Sequence, residues 1–411
     1  MTPSDAIWSL PIEQAHNVSA SAGPLSFVGG AADLGANGVV RHRGDLRRQI
    51  AGALDALAAA LAPEGCTLDD VVRLKAFYTA PEGNDEWRVI GDLAKGFAKD
   101  PMPAISLVPV PMQPFAGQRV QLQAIAQRGW RELSDVRVAV RPVPKRHAKL
   151  FGGRPVTGGL RAGEFIAVAN RAAADGEGSI AAPNDPVAQS HAIMATHEAT
   201  LGALGASLQD AIKMEGYYFG TTREHWAPLA KARASHFREP GPVATVVPCH
   251  RLHPKGALTK IEVMAMRESW NRFDKYIPRE DHWPRRVWDW PIPLPYRQAI
   301  RLRDMIWLGG QVPSEPDSNK GRRVLPGQLL PQTRFTMSLI EDLLRGFGRR
   351  PSDLKLIVAY FTSKGTPEET RAFLATIAAC AGGVLPPITA VPQPHMHDPA
   401  TTVEIWGIAR G

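Results

Sequence analysis

The chain has 411 residues with a net charge of +8, and 44% of the residues are hydrophobic while 21% are charged. This composition excludes a mostly disordered chain, and the length exceeds that of one ordinary domain. No apolar run is long enough to span a membrane, and three widely separated cysteines argue against a disulfide framework. We therefore expect several domains in a cytoplasmic protein.

The first predicted elements form an α+β unit. An apolar strand, LSFVGG, at 25–30 precedes a helix whose apolar residues recur every three or four positions, namely Leu46, Ile50, Leu54, Leu57 and Leu61. The junction DDVVRLKAFY then predicts a strand from residue 71, and a second helix follows it. Two more strands, PAISLVPVP from residue 103 and RVQLQAIA around Gln121, complete the unit.

The same four landmarks recur twice more along the chain at a period of about 140 residues. The first strand returns as FIAVAN and MIWLGG, and the junction returns as QDAIKMEGYY and SDLKLIVAYF. The proline-led strand returns as PVATVVPCH and PPITAVPQP, and the closing strand returns as KIEVMAMR and TVEIWGIA. Four landmarks in one order at nearly constant spacing predict three tandem copies of one domain.

The repeats predict domains at 1–130, 151–269 and 295–411, joined by linkers rich in proline and charge at 131–150 and 270–294. Within each domain the order β-β-α-β-α-β-β predicts a mixed sheet with two helices on one face. The bare faces of three such sheets would be hidden if the sheets closed around a common axis. The sequence therefore predicts a pseudo-trimer folded from a single chain.

Three motifs of the third domain resemble a known family: Pro295-Tyr296-Arg297-Gln298-Ala299, Gly310-Gln311-Val312-Pro313 and Val403-Glu404-Ile405. They are similar to the proline–tyrosine segment, the glycine turn and the closing strand of the Rid family (reactive intermediate deaminases, or endoribonuclease L-PSP). Members form homotrimers with a central barrel and ligand clefts between subunits, and they hydrolyse enamine or imine intermediates. The resemblance implies a central barrel here and a metal-independent enzyme that needs no cofactor.

The resemblance also implies where the catalytic residues lie. The family's glutamate on the closing strand activates water, and this position holds Gln121, Glu262 and Glu404. Glu404 and Glu262 are therefore the catalytic candidates, and their apolar neighbours predict a raised pKa for both carboxyls. Tyr296 is a third catalytic candidate, because its hydroxyl could donate a hydrogen bond to a substrate oxygen.

The family's substrate-binding arginine is absent, since its position holds Ile105, Ala244 and Ile388. Without it, the substrate-binding candidates are residues of the glycine turns, a basic segment after the second proline-led strand and a threonine on the third such strand, namely Gly309, Gly310, Asn170, His250, Arg251 and Thr389. The backbone at a glycine turn can approach a ligand closely. An arginine or histidine could instead hold a substrate anion.

Two further patterns have a structural interpretation beside a functional one. His395 and His397 could chelate a metal, but a solvated loop is the favoured interpretation. Lys75 and Glu215 occupy equivalent strand positions in the first two domains, which predicts a structural ion pair at the central axis.

The leading hypothesis is a Rid-type hydrolase or deaminase that acts on a small anionic enamine, imine or related C–N compound in a cleft between domains. Two alternatives remain open. One is non-catalytic ligand binding or a scaffold role, and the other is chemistry on a cyclic carboxylate as in the chorismatases, whose fold resembles the same unit. We expect a small-molecule partner, no nucleic acid and no membrane, and a monomeric pseudo-trimer, with a further homodimer left open.

Overall fold

The structure is a computed structural model that describes residues 10, 12–35, 38–79, 85–269, 279–316 and 318–411. It contains three mixed sheets, of five, six and six strands. This confirms the predicted α+β class and its tandem organisation. None of the described helices combines the length and the apolar character needed to cross a bilayer.

The first domain follows the predicted element order. Its elements are β1 (Ser19–Ala22), β2 (Leu25–Ala31), α1 (Leu46–Leu61), β3 (Val71–Tyr78), α2 (Glu86–Ala94), β4 (Ala104–Pro109) and β5 (Val120–Gln127). The sheet order is β1-β2-β5-β3-β4, with β3 parallel to β4. The carboxylate of Asp45 begins α1 by accepting the Arg48 N–H at 3.0 Å.

The second domain repeats this topology. Its elements are β6 (Val136–Arg141), β7 (Val156–Ala162), β8 (Phe165–Arg171), α3 (Pro186–Ala203), β9 (Ala211–Phe219), α4 (Arg223–Ala234), β10 (Val243–Cys249) and β11 (Thr259–Met266). The sheet order is β10-β9-β11-β8-β7-β6. The edge strand β6 lies within the predicted linker 131–150 and pairs antiparallel with β7, so this linker extends the second sheet.

The third domain is built in the same way. Its elements are β12 (Arg279–His282), β13 (Ala299–Leu302), β14 (Met305–Leu308), α5 (Leu329–Arg345), β15 (Leu354–Thr362), α6 (Pro367–Cys380), β16 (Ile388–Gln393) and β17 (Val403–Arg410). The sheet order is β12-β13-β14-β17-β15-β16. The predicted linker 270–294 contributes the edge strand β12, whereas its residues 270–278 lie outside the described residues.

Each sheet buries both faces. On β3, Leu74 and Ala76 pack with residues of α1 and α2, whereas Phe77 points to the opposite face, as strand alternation requires. The faces without helices meet in one apolar cluster that joins all three domains and includes Trp307 and Tyr360. The bare faces are therefore hidden against one another, but the strands form three separate sheets, and a closed central barrel is not shown.

A buried charge cluster lies where the first two sheets meet. The Lys75 Nζ atom is 2.7 Å from both Glu215 Oε1 and Glu262 Oε2. The Arg73 guanidinium contacts the same two glutamates, with its Nε atom 2.6 Å from Glu262 Oε1. The predicted contact between Lys75 and Glu215 is thus present. Such a cluster fixes the relative position of two sheets, because losing one member would leave the others buried without a partner.

Candidate functional site

The three domains meet at three seams of similar construction. At each seam the proline-led strand of one domain faces the first strands and the closing strand of another. Strand β4 faces the second domain at the first seam, β10 faces the third domain at the second seam, and β16 faces the first domain at the third seam. Equivalent sequence positions therefore recur in three different surroundings.

The second seam contains an open cavity of about 580 Å³. It is lined by Ala244 at the family's arginine position, by Tyr296 and Gly310, and by Glu404 from the closing strand. The tryptophan-rich end of the second predicted linker, 288–291, forms another wall. The volume lies within the usual range for small-molecule sites.

The carboxyl of Glu404 lines this cavity, and its pKa is strongly shifted from the ordinary value. Its burial raises the pKa to about 8, although the positive charges of Lys213 and Arg323 act in the opposite direction. The ammonium of Lys213 donates to Thr245 Oγ1 at 2.6 Å. Glu404 is therefore mostly protonated at neutral pH, and it can donate or accept a proton there. This agrees with the raised pKa expected from the sequence.

The glycine turn makes room for Glu404. A Cβ atom at Gly310 would overlap the Oε1 atom of Glu404. The N–H groups of Gly310 and Gly309 donate to the Ala244 and Gln298 carbonyls, both at 2.8 Å. Gly310 lines the cavity, but both N–H groups of the turn are already used by the backbone.

Arg233 on α4 supplies a buried cation to the cavity. Its side chain is fully buried, and none of the described residues accepts a hydrogen bond from Nε, Nη1 or Nη2. The hydroxyl of Tyr296 lies beside the guanidinium, and burial raises the pKa of this tyrosine to about 12, although the charge of Arg233 and its side-chain contact with the hydroxyl act in the opposite direction. A buried guanidinium that lines a cavity and has no carboxylate partner among the described residues matches the planar geometry of a bound carboxylate.

A second arginine and the histidine loop enter the same cavity. The Nη2 atom of Arg323 is 2.6 Å from His397 Nε2. Burial and the charge of Arg323 lower the pKa of His397 to about 3, so the neutral imidazole accepts this hydrogen bond. His395 and His397 thus lie in a loop, but the loop lines a cavity and His397 is partly buried, so the solvated loop favoured from the sequence is not what the structure shows. No group of three potential metal ligands occurs among the described residues.

The first seam is sealed at the equivalent positions. Asn170 replaces the glycine, and its side-chain amide donates to the Leu107 carbonyl at 2.8 Å and accepts the Leu107 N–H at 3.1 Å. Although burial raises the pKa of Glu262, the charges of Arg73 and Lys75 outweigh it and lower the pKa to about 2. The raised pKa expected for Glu262 is therefore wrong, because the sequence does not reveal which cations of the preceding domain reach it.

An outer cleft of about 1180 Å³ lies beside this sealed strip. His250 and Arg251, predicted as substrate-binding residues, line this outer cleft together with Arg141 and Arg171. They are not among the residues that line the second-seam cavity. The basic segment after β10 therefore belongs to the first seam and not to the surroundings of Glu404.

The third seam is closed. Gln121 Nε2 donates to the Ala390 carbonyl at 2.7 Å, and Thr389 Oγ1 accepts the Gly30 N–H at 3.1 Å. The cavity that remains there has a volume of about 10 Å³, too little for an organic ligand. Thr389, another predicted substrate-binding residue, therefore joins two domains in a seam without room for substrate.

The sequence analysis did not single out Arg233, Arg323 or Lys213. Arg233 follows Leu229 by four residues on the buried face of α4, and a charged residue at a buried helical position is a detectable signal. Arg323 lies in an irregular segment between β14 and α5, where no periodicity distinguishes buried from exposed residues. Lys213 stands on the buried strand β9, two residues before Glu215, and its burial lowers its pKa to about 7.

Comparison with protein-family models assigns a family to the second domain. The endoribonuclease L-PSP family model matches residues 154–267. Curated relatives include the RutC family protein YjgH of Escherichia coli K12, 35% identical over 78 residues, and a RutC family protein of Sulfurisphaera tokodaii, 28% identical over 71 residues. These alignments cover 19% and 17% of this chain but 58% and 54% of the two relatives, so the chain spans little more than half of their length.

Among solved structures, a chorismatase matches most of the chain. The similarity covers 83% of this chain and 93% of the chorismatase, with a TM-score of 0.51 and 13% sequence identity. At this identity the likeness shows the fold alone. We conclude from the family match that the second domain is a Rid-family (endoribonuclease L-PSP) domain, and from the repeated sheet topology that the chain carries three domains of this same architecture in tandem.

Proposed function

We propose that the second-seam cavity is the active site of a hydrolase that acts on a small carboxylate bearing an electron-rich double bond. One observation carries the proposal. Glu404, a carboxyl that is mostly protonated at neutral pH, and Arg233, a buried guanidinium without a carboxylate partner among the described residues, line the same cavity. A proton donor and an anion site within one small-molecule cavity are the two parts that such a reaction requires.

In this proposal Arg233 replaces the missing family arginine. Ala244 stands at the family's arginine position and has a short side chain, and α4 brings Arg233 to the same cavity. The substrate carboxylate would bind the guanidinium through two parallel hydrogen bonds, which also neutralise its buried charge. Tyr296 also lines the cavity and would donate its hydroxyl hydrogen to a substrate oxygen.

Glu404 would act first as a general acid and then as a general base. Its proton passes to the terminal carbon of a C=C–N or C=C–O group, and the double-bond electrons form the new C–H bond. A cation remains at the carbon that carries nitrogen or oxygen. Ionised Glu404 then takes a proton from water as the water oxygen adds to that carbon. After proton transfer to the leaving atom, the C–N or C–O bond breaks and a carbonyl compound is released with an amine or an alcohol.

Two substrate classes fit this chemistry. An enamine or imine is suggested by the Rid resemblance, and its product would be a keto compound with ammonia. An enol ether on a cyclic carboxylate is suggested by the likeness to a chorismatase. That protein by its name acts on chorismate, which contains an enol ether and a ring that carries a carboxylate. The three missing family arginines favour the second class, since they separate this chain from the ordinary imino-acid site.

Product analysis tests the proposal. Wild-type protein is incubated with freshly generated 2-imino acids and with chorismate, and ammonia and pyruvate are measured separately. We expect one of the two products, with kcat falling above about pH 8 as Glu404 loses its proton. If neither product forms at any pH, the hydrolase is rejected and ligand binding without catalysis replaces it.

A further inference from the structure

The outer cleft of the first seam contains two arginines without carboxylate partners. Arg141 ends β6 and Arg171 ends β8, and both line the cleft. None of the described residues forms an ion pair with either side chain, and the buried Nε atom of Arg171 has no hydrogen-bond acceptor. A partly buried guanidinium that is left unpaired is unfavourable unless something else binds it.

The two arginines are brought together by the sheet. Strand β7 lies between β6 and β8, and Gly158 stands on β7 at a register shift. A Cβ atom at Gly158 would lie 3.1 Å from Arg171 Nη2 and 3.2 Å from the Cβ atom of Arg141. The glycine thus leaves a gap through which Arg171 reaches Arg141. Burial and the nearby charge of Arg141 lower the pKa of Arg171 to about 10, which agrees with this proximity.

The acidic residues of the cleft are already engaged. Glu86 pairs with the Lys260 ammonium at 2.8 Å, and Asp85 pairs with the His147 imidazole. The carboxylate of Asp175 accepts backbone N–H groups of its own turn at 2.9 Å. Glu86 attracts Arg141 electrostatically, but none of these carboxylates forms an ion pair with either arginine, so the cleft keeps a positive end.

Apolar walls adjoin this positive end. The guanidinium carbon of Arg141 lies 4.6 Å from the centre of the Trp87 ring. Phe219 also lines the cleft and is 56% exposed, an unusual degree for a phenylalanine that ends a strand. The cleft volume of about 1180 Å³ is twice that of the second-seam cavity, so it accommodates an organic body larger than a simple inorganic anion.

We propose that the outer cleft of the first seam is a second ligand site, which binds a small organic anion with a flat apolar body. A phosphate or carboxylate group binds Arg141 and Arg171, and the apolar body lies against Trp87 and Phe219. This site is separate from the proposed active site, because Glu404 and Arg233 line the second-seam cavity. Its ligand can therefore bind whether or not the hydrolase proposal holds.

Calorimetric titration of the full chain tests the site. The ligands are adenosine 5′-monophosphate for the phosphate group, isophthalate for the carboxylate group and adenosine as an uncharged comparison. We expect saturable binding of at least one anion and none of adenosine. The anion that binds more tightly identifies the oxyanion that the arginine pair recognises.

Substitutions locate the binding. Arg171→Met and Arg141→Met should each weaken binding about tenfold by removing charge-assisted hydrogen bonds. Arg171→Lys keeps the charge but loses the planar fork, so it should weaken binding by a smaller factor. Arg345→Met, at an exposed position on α5, should leave the affinity unchanged.

Three results would overturn the proposal. They are no saturable binding of either anion at millimolar concentration, equal affinity in wild type and both methionine variants, or a loss of affinity that occurs only in Arg233→Met. Circular dichroism confirms that each variant is folded. If Arg171→Met does not fold, Arg141→Met decides the outcome, because its side chain is partly exposed on an edge strand.

Discussion

The first and second seams carry a glutamate at the same strand position, yet at neutral pH the first carboxyl is ionised and the second is mostly neutral. The pKa of Glu262 is lowered to about 2, whereas the pKa of Glu404 is raised to about 8. Both side chains are buried. Burial alone therefore does not decide the acidity of this position, and the neighbouring domain does.

The difference originates on the strand that faces each glutamate. Arg73 and Lys75 on β3 correspond, by the repeat period, to Lys213 and Glu215 on β9. Glu262 thus meets two cations that contact it directly, whereas the cation equivalent to Arg73 at the second seam donates its hydrogen bonds elsewhere. At the first seam the direct contacts of Arg73 and Lys75 outweigh burial and keep Glu262 ionised. At the second seam burial outweighs the charges of Lys213 and Arg323 and leaves Glu404 able to bind a proton.

The largest expected effect separates the two glutamates directly. Glu404→Gln should lower kcat about 10³-fold, because the variant has no carboxyl proton to donate. Glu262→Gln should leave kcat nearly unchanged but reduce the free energy of unfolding by about 3 kcal/mol, since Arg73 and Lys75 lose a buried charge partner. Steady-state kinetics and urea unfolding measure both effects. An equal loss of kcat in the two variants would contradict the assignment of catalysis to the second seam alone.

The dependence of stability on pH should also differ between the seams. The folded-state pKa of Glu404, about 8, lies above its ordinary value of 4.5, so its contribution to stability is fully present below pH 4.5 and is lost as pH rises through 8. Between pH 5 and pH 8, wild type should lose about 3 kcal/mol relative to Glu404→Gln. Lys213 also titrates in this range, with a pKa of about 7 that depends on the charge of Glu404, so the same comparison is repeated in a Lys213→Met background.

The first seam should show the opposite sign. The folded-state pKa of Glu262, about 2, lies below its ordinary value of 4.5, so its contribution is present above pH 4.5 and is lost as pH falls through 2. Urea unfolding of Glu262→Gln at pH 7 and pH 3 should therefore show a smaller difference from wild type at the lower pH. Parallel curves for both glutamate variants would contradict the assignment.

The anion site of the second seam gives the next effect. Arg233→Met should lower kcat/KM about 100-fold, mainly through KM, because two charge-assisted hydrogen bonds to the substrate carboxylate are lost. Arg345→Met on the surface of α5 is the matched control and should behave as wild type. An unchanged KM in Arg233→Met would place the substrate carboxylate elsewhere.

The smallest expected effect concerns the glycine turn. Gly310→Ala introduces a Cβ that overlaps the Oε1 atom of Glu404, so the carboxyl must move. We expect kcat to fall about tenfold while the protein stays folded. The kinetics of this variant, measured beside Glu404→Gln, show whether the position of the carboxyl matters as well as its presence. A wild-type kcat would show that it does not.

The sequence predicts the arrangement within each domain better than the contacts between domains. The strand and helix order follows from hydrophobic periodicity, and the repeat period reveals the three domains because equivalent residues recur along the chain. The protonation of Glu404 and of Glu262 depends on residues of the preceding domain, which lie about 190 positions earlier in the chain. Arg73, which contacts Glu262, is an example. Periodicity carries no information on such partners. Arg233 stands out as a charged residue on the buried face of α4, but only the structure shows that it lines the same cavity as Ala244 and Glu404.

Because three domains share one chain, each seam residue is encoded only once. Gly30, Asn170 and Gly310 stand at the same turn position in the three domains. In an assembly of three identical subunits, the two hydrogen bonds between the Asn170 amide and the Leu107 backbone would form at every interface and would close all three. Because one gene encodes all three seams, a mutation changes one seam at a time, so the strip beside Glu262 and the third seam can be closed while the cavity beside Glu404 stays open.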